Sequence, residues 1–273
     1  MAFLKAFAYV AAALCWHLLI FRLAPKLRLV KPNFAGKQVM ASYGIVLFGY
    51  VAAICGALLT FGYAPLPIAK LYLAVMGAMC ALGLIDDAFG SREVGGFGGH
   101  FKKLLVERKL TTGALKAIGG GVVGIVGGYY ASEGIAARWV VAAVLIPLSA
   151  NLLNLIDLRP GRSVAVFFAG LVVTYMGAGF QMSAPWLVAA IAASALLFAL
   201  TDSCGRAMMG DSGSNALGAA LGLAITINTG LAFQIGAIIL FVAVHWYSEK
   251  HSISQLIERS SLLRAIDHRL GVR

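Results

Sequence analysis

Long apolar runs alternate with short polar links along the whole chain. A helix that crosses the hydrocarbon core of a membrane needs about 20 apolar residues. The pattern therefore predicts an all-α fold, a polytopic transmembrane bundle of about nine to ten spans, with the count open because several links are very short. The nine runs are 2–21, 40–62, 67–85, 113–131, 139–156, 164–180, 186–200, 214–229 and 231–247.

The composition agrees with an integral membrane protein. Hydrophobic residues make up 60 % of the chain and charged residues 12 %, whereas soluble domains carry about 25 % charged residues. No long hydrophilic block interrupts the runs, so residues 1–248 are predicted to form one transmembrane domain. Residues 249–273 have apolar positions at near-helical spacing and are predicted to form a cytoplasmic amphipathic tail on the membrane face.

The basic residues predict the orientation of the chain in a cell membrane. With the N-terminus outside, all but Lys5, Lys70 and Arg138 of the 22 lysines and arginines lie on or near the cytoplasmic side, as the positive-inside rule requires. All but Glu133 of the 11 acids lie there too, so any chemistry is predicted to be cytoplasmic.

Aromatic residues do not interleave with the basic ones, which excludes a nucleic-acid partner. The scattered basic residues of the loop 88–112 are typical of anchors to anionic membrane lipids.

Polar residues recur where the predicted helices reach the cytoplasmic face. They are Asp86 and Asp87 after the third run, Asn151, Asn154 and Asp157 at the end of the fifth, Asp202 after the seventh and Asp211 before the eighth. Adjacent carboxylates repel each other unless a cation or a proton intervenes. A divalent metal would offset that repulsion and would also bind a diphosphate substrate.

The stretch around Asp211 admits two interpretations. Gly210 and Gly213 allow a ligand to approach the backbone closely, and the N-terminus of the following helix favours anions. Asp211 would then hold a hard cation such as Mg²⁺ against phosphate oxygens. The alternative is that Asp211 only caps the helix.

The amides and basic residues near this face are also candidates for substrate binding. Asn151, Asn154 and Asp157 share one helix face, where they would bind a polar ligand or join neighbouring helices by hydrogen bonds. Lys116 lies one turn inside the fourth run, where a lysine binds either a substrate phosphate or lipid head groups. Further candidates for anionic or polar contacts are Arg159, Arg162 and His251.

Three motifs of the chain, taken in order, resemble those of one enzyme superfamily. They are Ile85-Asp86-Asp87, Asn154-Leu155-Ile156-Asp157 and Met209-Gly210-Asp211-Ser212-Gly213-Ser214. The chain is identified by them as similar to the polyprenyl-phosphate N-acetylhexosamine-1-phosphate transferases, which include the phospho-N-acetylmuramoyl-pentapeptide transferase of peptidoglycan synthesis. The resemblance extends from about Lys31 to the tail.

The resemblance implies a reaction and roles for individual residues. The implied reaction moves a sugar 1-phosphate from a UDP-sugar to undecaprenyl phosphate, releases UMP and uses Mg²⁺, for cell-envelope glycan synthesis. Asp211 and Asp86 are expected to bind Mg²⁺, and Asp86, Asp87 and Asp157 to be catalytic. The expected substrate-binding residues are Asn151, Asn154, Lys116, Lys37, Arg159, Arg162 and His251.

Departures from the family pattern leave a second hypothesis open. Pro160 stands where the family carries a second acid, and the family's histidine-rich loop is missing, with only His251 and His268 nearby. The alternative is a catalytically silent relative that binds polyprenyl phosphate or envelope partners.

A cation or proton transporter is disfavoured, because the acids gather at one membrane face. The oligomeric state is open, with a homodimer as one option.

Overall fold

A computed structural model describes residues 2–27, 29–33, 35–90 and 112–271. This part of the chain is all-helical apart from one short hairpin. Its eleven helices are α1 (Ala2–Leu23), α2 (Gly44–Thr60), α3 (Leu66–Phe89), α4 (Thr112–Ala131), α5 (Ala136–Ile156), α6 (Arg162–Gly177), α7 (Pro185–Asp202), α8 (Gly210–Asn228), α9 (Leu231–Lys250), α10 (Ile253–Arg259) and α11 (Ser261–Leu270).

The hairpin lies between α1 and α2 and was not predicted. Its strands are β1 (Val30–Pro32) and β2 (Gln38–Met40), which pair antiparallel so that Val30 faces Met40. Met40 also bridges to Ala207 in the link between α7 and α8. The hairpin therefore ties the first polar link of the chain to the link that precedes Asp211.

Each of the nine predicted apolar runs overlaps one of the helices α1 to α9. Within the described residues, six helices are long and apolar enough to cross a membrane: α1, α3, α4, α5, α7 and α9. The helices α2 and α6 are apolar but shorter. These apolar helices indicate a helical membrane protein, with six candidate spans in the part of the chain that the structure describes. The basic segment 91–111 lies outside the described residues.

Helix α8 is the central helix of the bundle. Every residue from Ser212 to Thr226 is buried, and the helix packs against α2, α3, α5 and α6. Small side chains make this possible: a Cβ atom at Gly218 would lie 2.4 Å from the Ser149 carbonyl oxygen, and one at Gly222 would lie 2.8 Å from the Ile146 Cα atom. Glycines four residues apart on a membrane helix allow such close contact with a neighbouring helix, and Gly218 and Gly222 have that spacing.

The same packing holds between α4 and α5. A Cβ atom at Gly124 would lie 2.3 Å from the Ala143 carbonyl oxygen, and one at Gly128 would lie 2.9 Å from the Ala143 nitrogen. A Cβ atom at Gly120 would make only ordinary contacts, at 3.8 Å. Gly124 and Gly128, unlike Gly120, therefore allow close contact between α4 and α5.

Gly218→Ala is expected to lower the free energy of unfolding in detergent by about 1–3 kcal/mol, because its methyl group would press on the α5 backbone. Gly236→Ala is the matched control: a Cβ atom there meets nothing within 4 Å, and alanine favours a helix over glycine by about 1 kcal/mol. Thermal unfolding of the two variants side by side tests the packing. Equal melting temperatures would contradict it.

Candidate functional site

The N-terminus of α8 is fixed by a carboxylate from another helix. Asp87, at the end of α3, accepts hydrogen bonds from the backbone N–H groups of Asp211 (3.0 Å) and Ser212 (3.1 Å). These are two of the N–H groups that a helix leaves without internal partners, and a carboxylate there also favours the helix dipole. Asp87 therefore caps α8 and positions Asp211.

Two glycines let the backbones approach closely enough for this cap. Gly210 has a φ of +67°, which side-chain-bearing residues rarely adopt, and a Cβ atom there would lie 2.6 Å from the Asp87 Oδ2 atom. A Cβ atom at Gly83 on α3 would lie 2.2 Å from the Asp211 carbonyl oxygen. Substitution at either glycine would push Asp211 away from α3.

The link before α8 is also held by backbone hydrogen bonds to the segment 40–44. Met208 donates to the Met40 carbonyl at 2.8 Å, and Tyr43 donates back to Met208 at 3.0 Å. Gly44 donates to the Met209 carbonyl at 3.0 Å. The start of α8 is thus anchored on the hairpin side and on the α3 side, so the Asp211 side chain projects from a fixed backbone.

Asp211 lies at the centre of a cluster of charged and polar side chains. Its Oδ2 atom accepts hydrogen bonds from the Lys116 ammonium at 2.5 Å and from the Asn154 amide at 3.1 Å. Lys116 is also 4.0 Å from the Asp86 Oδ2 atom, and the Asp86 and Asp211 carboxyl groups lie within hydrogen-bonding reach of each other. Ser214 donates to the Asn154 side-chain oxygen at 3.3 Å. Helices α3, α4, α5 and α8 therefore meet at this cluster.

Asp157 follows the last residue of α5. Burial raises the pKa of its carboxyl group well above the usual range, and the negative charges of Asp202, Asp211 and Asp87 raise it further. A raised pKa brings a carboxyl group closer to the range in which it exchanges protons at neutral pH. Asp157 thus belongs electrostatically to the cluster.

Other predicted substrate-binding residues have partners elsewhere. The Asn151 amide donates to the His245 Nε2 atom of α9 at 2.8 Å, and Arg162 forms a buried ion pair with Asp267 of α11. His251 is exposed at the end of α9, with its ring 4.7 Å from that of Tyr247. Lys37 is exposed in the turn between β1 and β2. The roles proposed for these residues stay predictions.

Some residues of the site were missed at the level of sequence. The Lys31 ammonium donates to the Asp87 backbone carbonyl, but nothing in the sequence separates Lys31 from the other basic residues on that side. His245 carried a usable signal, because an ionisable residue inside an apolar run is by default a functional candidate. Its Nδ1 atom bonds the Phe241 carbonyl at 2.7 Å, which fixes the ring beside Asn151.

No protein-family model matches the chain, and no curated protein matches it.

Proposed function

We propose that the protein is a Mg²⁺-dependent phosphosugar transferase of the cell membrane. It moves an N-acetylhexosamine-type sugar 1-phosphate from a UDP-sugar to undecaprenyl phosphate and releases UMP. In this proposal the chain crosses the membrane about nine to ten times, with its N-terminus outside and the charged cluster on the cytoplasmic face. The proposal is based on the motif resemblance to the polyprenyl-phosphate N-acetylhexosamine-1-phosphate transferases.

The observation that carries the proposal is the convergence of the three motifs on one point. Asp86, Asn154 and Asp211 come from separate helices. Yet the Lys116 ammonium lies within 4.0 Å of both the Asp86 and the Asp211 carboxylates, and Asn154 donates to Asp211. Interhelical hydrogen bonding alone would account for any one of these contacts. It does not account for several carboxylates kept close together at the end of a membrane bundle, where unpaired charge is costly.

The donor set fits a divalent cation. Two carboxylates, from Asp86 and Asp211, lie within reach of each other, and carboxylate oxygens are the ligands that Mg²⁺ prefers. Asp86 and Asp211 both face the ammonium group of Lys116, so this group of three has an excess of one negative charge when both carboxylates are ionised. When bound, Mg²⁺ supplies positive charge that stabilises a diphosphate under attack.

The remaining side chains would orient the substrates. Lys116 is placed to bind a phosphate oxygen when it leaves Asp211, and the Asn154 amide is placed to donate to the nucleotide or the sugar. Asp157, with its raised pKa, is suited to take a proton from the lipid phosphate. Asp87 is already bonded through both carboxylate oxygens, so its contribution is to hold α8.

UMP release tests the proposal. Purified full-length protein in detergent would be given undecaprenyl phosphate, Mg²⁺ and a panel of UDP-N-acetylhexosamines together with UDP-muramoyl-pentapeptide. We expect UMP with one donor and none when EDTA is present. Retention of undecaprenyl phosphate without UMP release from any donor would contradict the proposal and would favour the catalytically silent relative.

A further inference from the structure

A cleft of about 590 Å³ lies outside the charged cluster, between the turn that joins α5 to α6 and the two tail helices. Its volume is within the range of about 300–1,000 Å³ that is typical of small-molecule sites. Its lining is polar and largely basic: Arg159, Arg162, Ser254, Gln255, Glu258, Arg259 and His268.

A buried ion pair holds the walls of this cleft together. Arg162, at the start of α6, donates through Nε and Nη2 to the two carboxylate oxygens of Asp267 on α11, at 2.7 and 2.9 Å. Its Nη1 atom donates to the Ser254 hydroxyl of α10 at 2.8 Å. The Arg162 and Asp267 side chains are only 4 % and 3 % exposed. The tail is thus fixed against the α5–α6 turn rather than loosely attached.

Backbone packing also holds the tail against the turn that joins α5 to α6. Gly161 has a φ of +80°, and a Cβ atom there would lie 2.5 Å from the Leu270 carbonyl oxygen. The Gly161 N–H group also donates to the Asp202 carboxylate at 2.6 Å. The turn that carries Arg159 is therefore held by both α7 and the tail, and the cleft is preorganised.

The charge balance of the lining favours an anion. Asp267 neutralises Arg162, and Glu258 offsets one further positive charge. Arg159 and Arg259 together still leave the lining with a net positive formal charge, and His268 adds a polar ring to it. The arginine guanidinium presents N–H donors in a planar fork that matches phosphate oxygens. Asp267 and Ser254 use three of the five N–H donors of Arg162.

We propose that this cleft is a second binding site, separate from the charged cluster, for a phosphate-bearing anion. The two sites lie on either side of the end of α5: Asn154 faces Asp211, while Arg159 faces the tail. Acidic side chains predominate in the cluster and basic ones in the cleft, so the cleft is the one of the two that favours an anion. The phosphate belongs either to a soluble molecule or to the head group of a lipid. The inference does not depend on the proposed phosphosugar transfer.

Calorimetric titration of full-length protein with sodium pyrophosphate tests whether the cleft binds the phosphate of a soluble molecule. The titration is done in a neutral detergent with EDTA, which leaves the metal-dependent cluster without a divalent cation. We expect saturable binding, and we expect the double variant Arg259→Gln/His268→Gln to weaken it by about tenfold or more, as losing a charge-assisted hydrogen bond would do. Arg269→Gln removes the same type of charge from α11 outside the cleft and is expected to leave binding unchanged.

Native mass spectrometry tests the lipid source with the same variants. The wild-type protein and the variants are released from mixed micelles of phosphatidylglycerol and phosphatidylcholine, and the amount of phosphatidylglycerol that each protein retains is compared. Pyrophosphate binding that needs Arg259 and His268 supports a soluble phosphate ligand, and retention of phosphatidylglycerol that needs them supports a lipid head group. The proposal is overturned if neither probe binds, or if the double variant and Arg269→Gln bind both probes as the wild type does. Melting temperatures of the variants show whether the fold is intact.

Discussion

Asp211→Asn is expected to reduce UMP release by at least about 1,000-fold while the protein still folds. In the proposed reaction the Asp211 carboxylate binds Mg²⁺, a contribution worth several kcal/mol to the transition state, and each 1.4 kcal/mol corresponds to a factor of ten in rate. Asparagine keeps the shape of the side chain and one oxygen that accepts from Asn154. Lys116 keeps Asp86 within 4.0 Å as a second partner, so the loss of stability is expected to be small.

The control for this variant is Glu133→Gln, which removes an exposed carboxylate at the far end of α4. It should release UMP at the wild-type rate. The measurement is UMP release at saturating donor and acceptor, together with the melting temperature in detergent. If the Asp211→Asn protein keeps its melting temperature and releases UMP at a rate within tenfold of the wild type, Asp211 is not required for the reaction.

Asp87→Asn is expected to affect both stability and turnover. The Asp87 carboxylate accepts from two backbone N–H groups at the start of α8. An asparagine offers one oxygen and turns an NH₂ group towards the other N–H, which leaves a buried donor without an acceptor. A loss of about 2 kcal/mol in the free energy of unfolding follows from the lost charge-assisted hydrogen bond, and turnover should fall because Asp211 is displaced.

The comparison of the two variants separates chemistry from positioning. Asp211→Asn should change turnover with little change in melting temperature, and Asp87→Asn should lower both. An Asp87→Asn protein as stable as the wild type would contradict the capping role and would leave the predicted catalytic role as the better explanation of Asp87.

The sequence predicted those features that depend on local pattern. Apolar runs located the helices, because a membrane helix must satisfy its backbone internally and face lipid with apolar side chains. The gathering of Asp86, Asn154 and Asp211 was predictable, since all three stand at helix ends on the same predicted side of the membrane.

Features that depend on partners distant in the sequence were not predictable. Arg162 follows the α5 motif directly and was expected to bind substrate, but its guanidinium is bonded to Asp267, 105 residues later. Asn151 was placed on the same helix face as Asn154, yet its partner is His245 on α9. Helical periodicity assigns a face to a residue but does not say which helix will pack there. The hairpin β1–β2 was missed because its strands are only three residues long.

Transfer of labelled phosphate into lipid tests the proposed phosphosugar transfer itself. UDP-N-acetylhexosamines labelled with ³²P at the β-phosphorus would be incubated with the protein, Mg²⁺ and undecaprenyl phosphate. In the proposed reaction an oxygen of the lipid phosphate attacks the β-phosphorus and the bond to the bridging oxygen breaks. The label should then enter the lipid fraction, with one UMP released per labelled lipid. If the lipid stays unlabelled with every donor of the panel, although the protein is folded and retains undecaprenyl phosphate, the result contradicts the proposed phosphosugar transfer.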